Sequence, residues 1–274
     1  MRRLKFAIAV VCALPILPLV LPMAQNDPPA SSPLPFHAGE RLIYSVKWDP
    51  PWYLFFLPAM EAGTADLHLV GESEFKKKKA VKIVFKAYSS GSLAKLAGLK
   101  VEDEFVFFSE PNTFCTFSSS QTIREGKRKR QIDIEYFRED RQLHFREMDE
   151  SVDPPKLKQD VTKNDIPSCV RDPFSALFLF RMSPLGEKHT QTFILGDNDK
   201  VKEIRCEVVE QETVKVPAGK FSAWKVNTES MMGGLFKEGG EFCVWFSADE
   251  KKIPIQFEAR VRVGRVLGKL KEQE

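Results

Sequence analysis

The sequence predicts a mainly β protein: a large curved antiparallel sheet, a half-barrel or open barrel, with one main buried helix near 172–182. Three observations carry that expectation. Apolar and polar residues alternate with period two along most of the chain after Phe36, as in strands with one buried face. Turn residues recur at short intervals between those runs, as antiparallel connections require. One segment, Asp172–Arg181, has helical spacing and is apolar around nearly its whole circumference. About a dozen alternating strands hide their apolar faces most readily by bending round one core.

The elements follow in order. Arg2, Arg3 and Lys5 precede an apolar run from Phe6 to Met23 and then Ala24, the charged, hydrophobic and small-residue layout of a secretory signal over 1–24. The run is long enough to act as an uncleaved anchor, but Pro15, Pro18 and Pro22 interrupt a spanning helix. Residues 25–35, rich in Pro and Ser, read as a flexible tether. Residues 36–271 then read as one β-rich domain, with 36–149 and 170–271 as two halves joined by a loop over 150–169. The first half opens with a strand at Arg41–Trp48. A hairpin follows from Thr64–Val70 and Ala80–Tyr88 around Lys76–Lys79, then a short helix at Ser92–Ala97. Four strands complete it: Glu104–Ser109, Thr113–Thr122, Gln131–Phe137 and Gln142–Met148.

At the helix, Asp172 is placed to cap and Pro173 fixes φ at the first helical position. Arg181, at the far end of this apolar helix, needs water or a carboxylate, and Glu40 and Asp249 are the two candidates. Strands resume at Thr190–Leu195, Val201–Glu210, Phe221–Glu229, Glu241–Phe246, Ile253–Val263 and Arg265–Leu270.

Charge narrows the function. Residues 1–24 hold three basic and no acidic residues, so 38 of the 41 Lys+Arg remain in the mature chain against 38 Asp+Glu. A neutral mature chain removes the main support for a nucleic-acid partner. Cys115, Cys169, Cys206 and Cys243 follow the signal; export permits disulfides among them, with three pairings open, and the spacing contains no CxxC zinc pattern.

No metal or cofactor is expected. His37, His68, His144 and His189 fall in separate segments, and no HExxH, GxSxG or phosphate-loop pattern occurs. The basic runs Lys76–Lys79 and Arg124–Arg130 read as exposed hairpin tips that discourage edge pairing; the functional alternative is a contact with anionic head groups or phosphorylated sugars.

Two apolar loops stand out. Trp52, Tyr53, Leu54, Phe55, Phe56 and Leu57 form an unbroken run fenced by prolines, and Met231, Met232, Leu235 and Phe236 surround Gly233–Gly234. Either both loops close the open ends of the sheet, or they rim a site for an apolar ligand. The leading expectation is a non-enzymatic envelope protein, periplasmic or extracellular, binding a lipid or lipid-linked glycan in its curved sheet. The alternative is an adaptor that docks a protein partner or a membrane through these loops. A glycan hydrolase would require two facing carboxylates about 5–10 Å apart, and no pair earns that assignment.

Several segments resemble an exported bacterial family catalogued as domain of unknown function 3108. They are Gly39–Glu40–Arg41–Leu42–Ile43–Tyr44; Ala62–Gly63–Thr64–Ala65; Asp172–Pro173–Phe174–Ser175–Ala176–Leu177 with Arg181; Val216–Pro217–Ala218–Gly219–Lys220–Phe221; and Trp245–Phe246–Ser247–Ala248–Asp249 followed by Pro254. The resemblance runs from about Phe36 to Leu270. It implies an envelope location and supplies no activity.

Overall fold

The computed structural model describes residues 34–91, 100–229, 241–261 and 263–274. These residues form a 14-stranded sheet, antiparallel at every pairing. The first eight strands are β1 (Arg41–Asp49), β2 (Met60–Phe75), β3 (Lys78–Ser89), β4 (Glu102–Ser109), β5 (Thr116–Glu125), β6 (Arg128–Phe137), β7 (Gln142–Asp149) and β8 (Lys156–Lys163). Helix α1 (Pro173–Met182) follows. Then come β9 (Thr190–Asp197), β10 (Lys200–Val216), β11 (Gly219–Glu229), β12 (Glu241–Ser247), β13 (Pro254–Arg260) and β14 (Arg265–Gln273).

The chain enters the middle of the sheet, meanders outward to β8, crosses through α1 to the opposite edge at β9, and meanders back. β14 finally pairs with β1 and joins the two arms.

The sheet must curl, and α1 shows why. Phe174 stacks on Phe85 of β3 at 4.6 Å and meets Phe107 of β4 at 5.5 Å, while Phe180 meets Phe193 of β9 at 6.2 Å. Nine strand steps separate β4 from β9, roughly 43 Å on a flat sheet. A ten-residue helix is about 15 Å long. The two arms therefore wrap round α1, whose Phe178, Leu179 and Phe180 are buried in a core drawn from both.

The edges approach without pairing. Val161 of β8 packs in a second cluster with Ile194 of β9 and Val201 of β10. The chain before α1 fills the seam: Thr116 N–H donates to Val170 O at 2.9 Å, Arg171 N–H to Ile194 O at 2.9 Å, and Gly196 N–H to Arg171 O at 2.8 Å. The result is an open barrel, as the alternation predicted.

Two expectations change and one open choice is decided. The segment 150–169 is not a plain loop, because Lys156–Lys163 is a strand paired with β7. Its side chains are mostly exposed on both faces, so it shows no alternation, and its lysines guard a sheet edge. Of the two candidate partners, Arg181 takes Glu40 rather than Asp249. Asp249 instead accepts from Ser247 Oγ–H and from the N–H groups of Lys251 and Lys252, fixing the β12–β13 turn. The strand expected from Thr113 begins at Thr116, after a turn through Phe114. The helix expected at Ser92–Ala97 lies outside the described residues.

Candidate functional site: an exposed aromatic finger

The register gives the barrel two distinct ends. One carries Asp49, Met60, Ser89, Glu102, Arg260 and Arg265; the other carries Ser109, Thr116, Gly219, Pro254 and α1. The second end is closed by a polar and apolar plug. Asp172 caps α1, accepting from Phe174 N–H and Ser175 N–H at 2.9 Å each, from Thr116 Oγ–H at 2.8 Å, and from Ser175 Oγ–H. Arg181 and Glu40, 0% and 2% exposed, form a bidentate pair. The guanidinium also donates to Pro35 O at 2.9 Å and Lys251 O at 3.0 Å, and it lies over the Phe36 and Phe178 rings at 5.2 and 5.4 Å.

The motif residues are mostly scaffold around this plug. Tyr44 Oη–H donates to Pro254 O at 2.6 Å, and Gly39, with φ of 87°, turns the chain into β1 beside Glu40. A Cβ on Gly63 would lie 1.9 Å from the Tyr88 carbonyl oxygen, so β2 and β3 need glycine for their close approach. Pro173 opens α1 and Gly219 opens β11. Trp245 Nε1–H donates to Glu212 at 2.6 Å.

The opposite end carries the aromatic run. Between β1 and β2, Pro51 leads into a single 3-10 turn, Trp52–Leu54, closed by Leu54 N–H to Pro51 O at 2.8 Å. Prolines at 50, 51 and 58 stiffen both flanks. The rings point outward: Trp52 and Phe55 are each 86% exposed, Phe56 67% and Tyr53 53%. They touch chiefly one another, Trp52 on Tyr53 at 5.9 Å and Phe55 on Phe56 at 6.1 Å. Such rings present on the order of 500 Å² of largely apolar surface together, at the upper limit of what a soluble monomer leaves uncovered.

The base of the finger is fixed. Trp48 Nε1–H donates to Val263 O at 2.7 Å, and Arg265 bridges Asp49 at 3.0 Å and Glu258 at 3.2 Å. That bridging leaves the base with no excess of positive charge on Arg265. Met231, Met232, Leu235 and Phe236 lie outside the described residues; the strands they join end here, where Glu229 pairs with Glu241.

Within the curl, Phe85 and Phe105 on one arm and Phe242 and Phe257 on the other are half-buried on the core-facing side. A Cβ on Gly268 would lie 2.1 Å from the Phe257 ring, so the bare β14 backbone is what lets that ring lie flat.

Two recesses lie elsewhere. One of 160 Å³ on the convex face is lined by Arg41, Asp66, His68, Val84, Lys86 and Tyr88, with Arg41 bidentate to Asp66. One of 300 Å³ follows the seam at Ile166, Pro167, Ile194 and Val201. Neither includes the finger. The histidines stay apart: His37 contacts its neighbour's carbonyl, His68 sits in the convex recess, His144 binds Asp160 at 2.6 Å, and His189 lies beside Phe180.

Asp197, at the seam, is a group that sequence reasoning missed, because its environment comes from folding. Burial pushes its carboxyl up to about 6. A raised folded-state value means stability that is full below about pH 4, the unfolded value, and is lost as pH rises through about 6. Asp197→Asn is therefore expected to raise Tm at pH 7.5 and leave it unchanged at pH 4, read by thermal melts at the two pH values.

Fold and site together define a class: an open, single-sheet β-barrel, plugged at one end and carrying an apolar finger at the other. The chain belongs to the family described as protein of unknown function DUF3108, whose model matches residues 43–271. Among solved structures it is similar to a β-barrel-like protein of domain of unknown function DUF1849 from Brucella abortus. That likeness has 12% identity and a TM-score of 0.55 over 86% of this chain and 97% of the other. A protein from Bacteroides fragilis with a YmcC-like fold, described as exported, shares 14% identity, with a TM-score of 0.34 over 88% and 98%. A protein from Parabacteroides distasonis described as a lipoprotein shares 12%, with a TM-score of 0.31 over 87% and 96%. The search of curated proteins found no match. No helix among the described residues is long and apolar enough to cross a membrane.

Proposed function

We propose that this is a non-catalytic protein of the cell envelope that engages lipid, with the Trp52–Phe56 finger as its contact. The carrying observation is the 86% exposure of both Trp52 and Phe55 on a proline-stiffened turn. Trp and Tyr suit the boundary between head groups and acyl chains, where one side of the ring is wet and the other apolar. A stiff turn loses little conformational freedom when it inserts. Export is supported by the signal-like N-terminus and by the Cys115–Cys169 disulfide, a bond that persists in oxidising compartments. The balanced charge at the finger's base favours insertion over electrostatic attraction. Binding to zwitterionic phosphatidylcholine vesicles should therefore survive 0.5 M salt.

Phe55→Ser/Phe56→Ser should abolish flotation with such vesicles while leaving Tm within about 1 °C, since neither ring is in the core. Equal flotation of the double variant would remove the proposal. A second reading is favoured by the half-buried Phe85, Phe105, Phe242 and Phe257: an acyl chain taken into the mouth of the curl. It adds a bound lipid, detectable by native mass spectrometry of protein from the envelope; protein free of lipid would leave the surface contact alone.

A further inference from the structure

The β2–β3 hairpin turns through Lys76 and Lys77, with φ of 48° and 66°. A two-residue turn with both central residues left-handed strongly prefers Asn-Gly, because a Cβ there crowds the backbone. Two other two-residue turns use Gly126 at φ 58° between β5 and β6 and Asn198 at φ 54° between β9 and β10, while Arg141 at φ 52° and Lys252 at φ 45° are single left-handed residues in the β6–β7 and β12–β13 connections. The β2–β3 tip differs in carrying two such residues in succession, both lysine, and a doubly strained turn of this kind is consistent with a use for the side chains.

The surroundings supply one. On the convex face Phe75 stacks on Phe108 at 5.5 Å and on Phe117 at 6.4 Å. A bulge between Phe108 and Ser109 leaves Phe117 as the extra residue in β5. Cations lie over these rings: Lys78 over Phe117 at 5.8 Å, Lys82 over Phe108 at 5.8 Å, and Arg138 over Phe117 at 5.0 Å. Lys76 is compensated by Glu135, and Arg138 by Glu110. Lys77, Lys78 and Lys82 have no carboxylate within ion-pair distance among the described residues. In the other basic run the three arginines are paired, Arg124 with Glu150, Arg128 with Glu125 and Arg130 with Glu147, which leaves Lys127 and Lys129 as its cations without an ion pair among the described residues.

We propose that the Lys77–Lys78–Lys82 row with Phe75 and Phe108 binds a linear anionic polysaccharide laid along β3. Lys78 and Lys82 stand four residues apart on one strand face, about 13 Å, and the tip extends the line to roughly 20 Å. That length suits successive acidic groups of a polymer better than one phosphate. The flat apolar faces of sugar rings match the phenylalanines between the cations. A bilayer held by the finger is out of reach, since the 16 residues of β2 between the two features span about 50 Å against a screening length of about 8 Å.

The test uses the full chain and titrates it with dextran sulfate, neutral dextran, inorganic phosphate, poly-glutamate and phosphatidylglycerol vesicles. Dextran sulfate should bind most tightly, and neutral dextran and phosphate should not bind. Three charge contacts predict a weakening of roughly 20-fold between 50 and 200 mM salt. Lys78→Gln/Lys82→Gln should weaken dextran sulfate at least tenfold. Lys76→Asn/Lys77→Gly should weaken it too while raising Tm by about 3 °C, because the turn strain is relieved. Phe55→Ser/Phe56→Ser should leave dextran sulfate binding unchanged, which separates this site from the lipid contact. The proposal is overturned if dextran sulfate binding is absent or survives Lys78→Gln/Lys82→Gln. Tighter binding of poly-glutamate or of the vesicles overturns it equally.

Discussion

Arg181→Met is expected to destabilise the fold by about 3–5 kcal/mol, the usual cost of stranding one partner of a buried ion pair. The change leaves the Glu40 carboxylate 2% exposed with its main charge partner gone, and frees the carbonyls of Pro35 and Lys251. It also unpins Phe36, which packs on Phe178 at 5.1 Å. For a domain of this size the loss corresponds to roughly 10 °C in Tm. The informative comparison is Arg181→Met with Glu40→Leu. Removing both charges together should recover most of the loss, because the pair's attraction mainly offsets its own desolvation. A double variant as unstable as the single would mean that the contacts to Pro35 and Lys251, rather than the charge pair, hold the plug.

Reduction of Cys115–Cys169, or Cys115→Ala/Cys169→Ala, is expected to cost about 4 kcal/mol on the loop-closure account for a 54-residue separation. The bond ties the β4–β5 turn to the chain that fills the seam. Its neighbours share the work: Arg171 Nε–H donates to Thr113 O at 2.9 Å, and Phe114 stacks on Phe178 at 6.3 Å. Loss of the bond should therefore loosen the seam first. Limited proteolysis of the reduced protein should cut near 150–169 before any strand of the central sheet, and the chemical denaturation midpoint should fall with it. A midpoint unchanged on reduction would show that the hydrogen bonds across the seam suffice.

Local chemistry was the legible part of the chain. Asp172–Pro173 announced its helix because a cap acts within three residues, and alternation announced strands wherever one face is buried. The strand Lys156–Lys163 escaped because an edge strand exposed on both faces alternates in nothing. Partners across long separations were not legible. Glu40 lies 141 residues from Arg181, and only the fold chooses it over Asp249. The same holds for the disulfide, one of several pairings open to the sequence.

The finger was visible as an unusual run, but whether its rings point inward or outward depends on the register of β1 with β2. The Lys78–Lys82 row was half visible. Lys78 stood out within the basic run Lys76–Lys79, whereas Lys82 joins it only by strand geometry and Phe117 only through a bulge in β5.

Finger and lysine row stand at opposite ends of β2, so one strand carries an apolar pole and a cationic pole. On the proposed function, the apolar pole would meet a lipid surface while the cationic pole reaches away from it. The closed end, with Arg181, Asp172 and the seam, keeps the sheet curled round its helix and fixes that separation.

The decisive measurement is quenching of Trp fluorescence by lipids brominated along the acyl chain, comparing the native chain with Trp52→Phe. Contact at the finger predicts quenching in the native protein that largely disappears in Trp52→Phe, because Trp48 is tied to Val263, Trp224 packs partly buried against the core and Trp245 is buried. Quenching that is absent, or equal in the two proteins, would contradict the account.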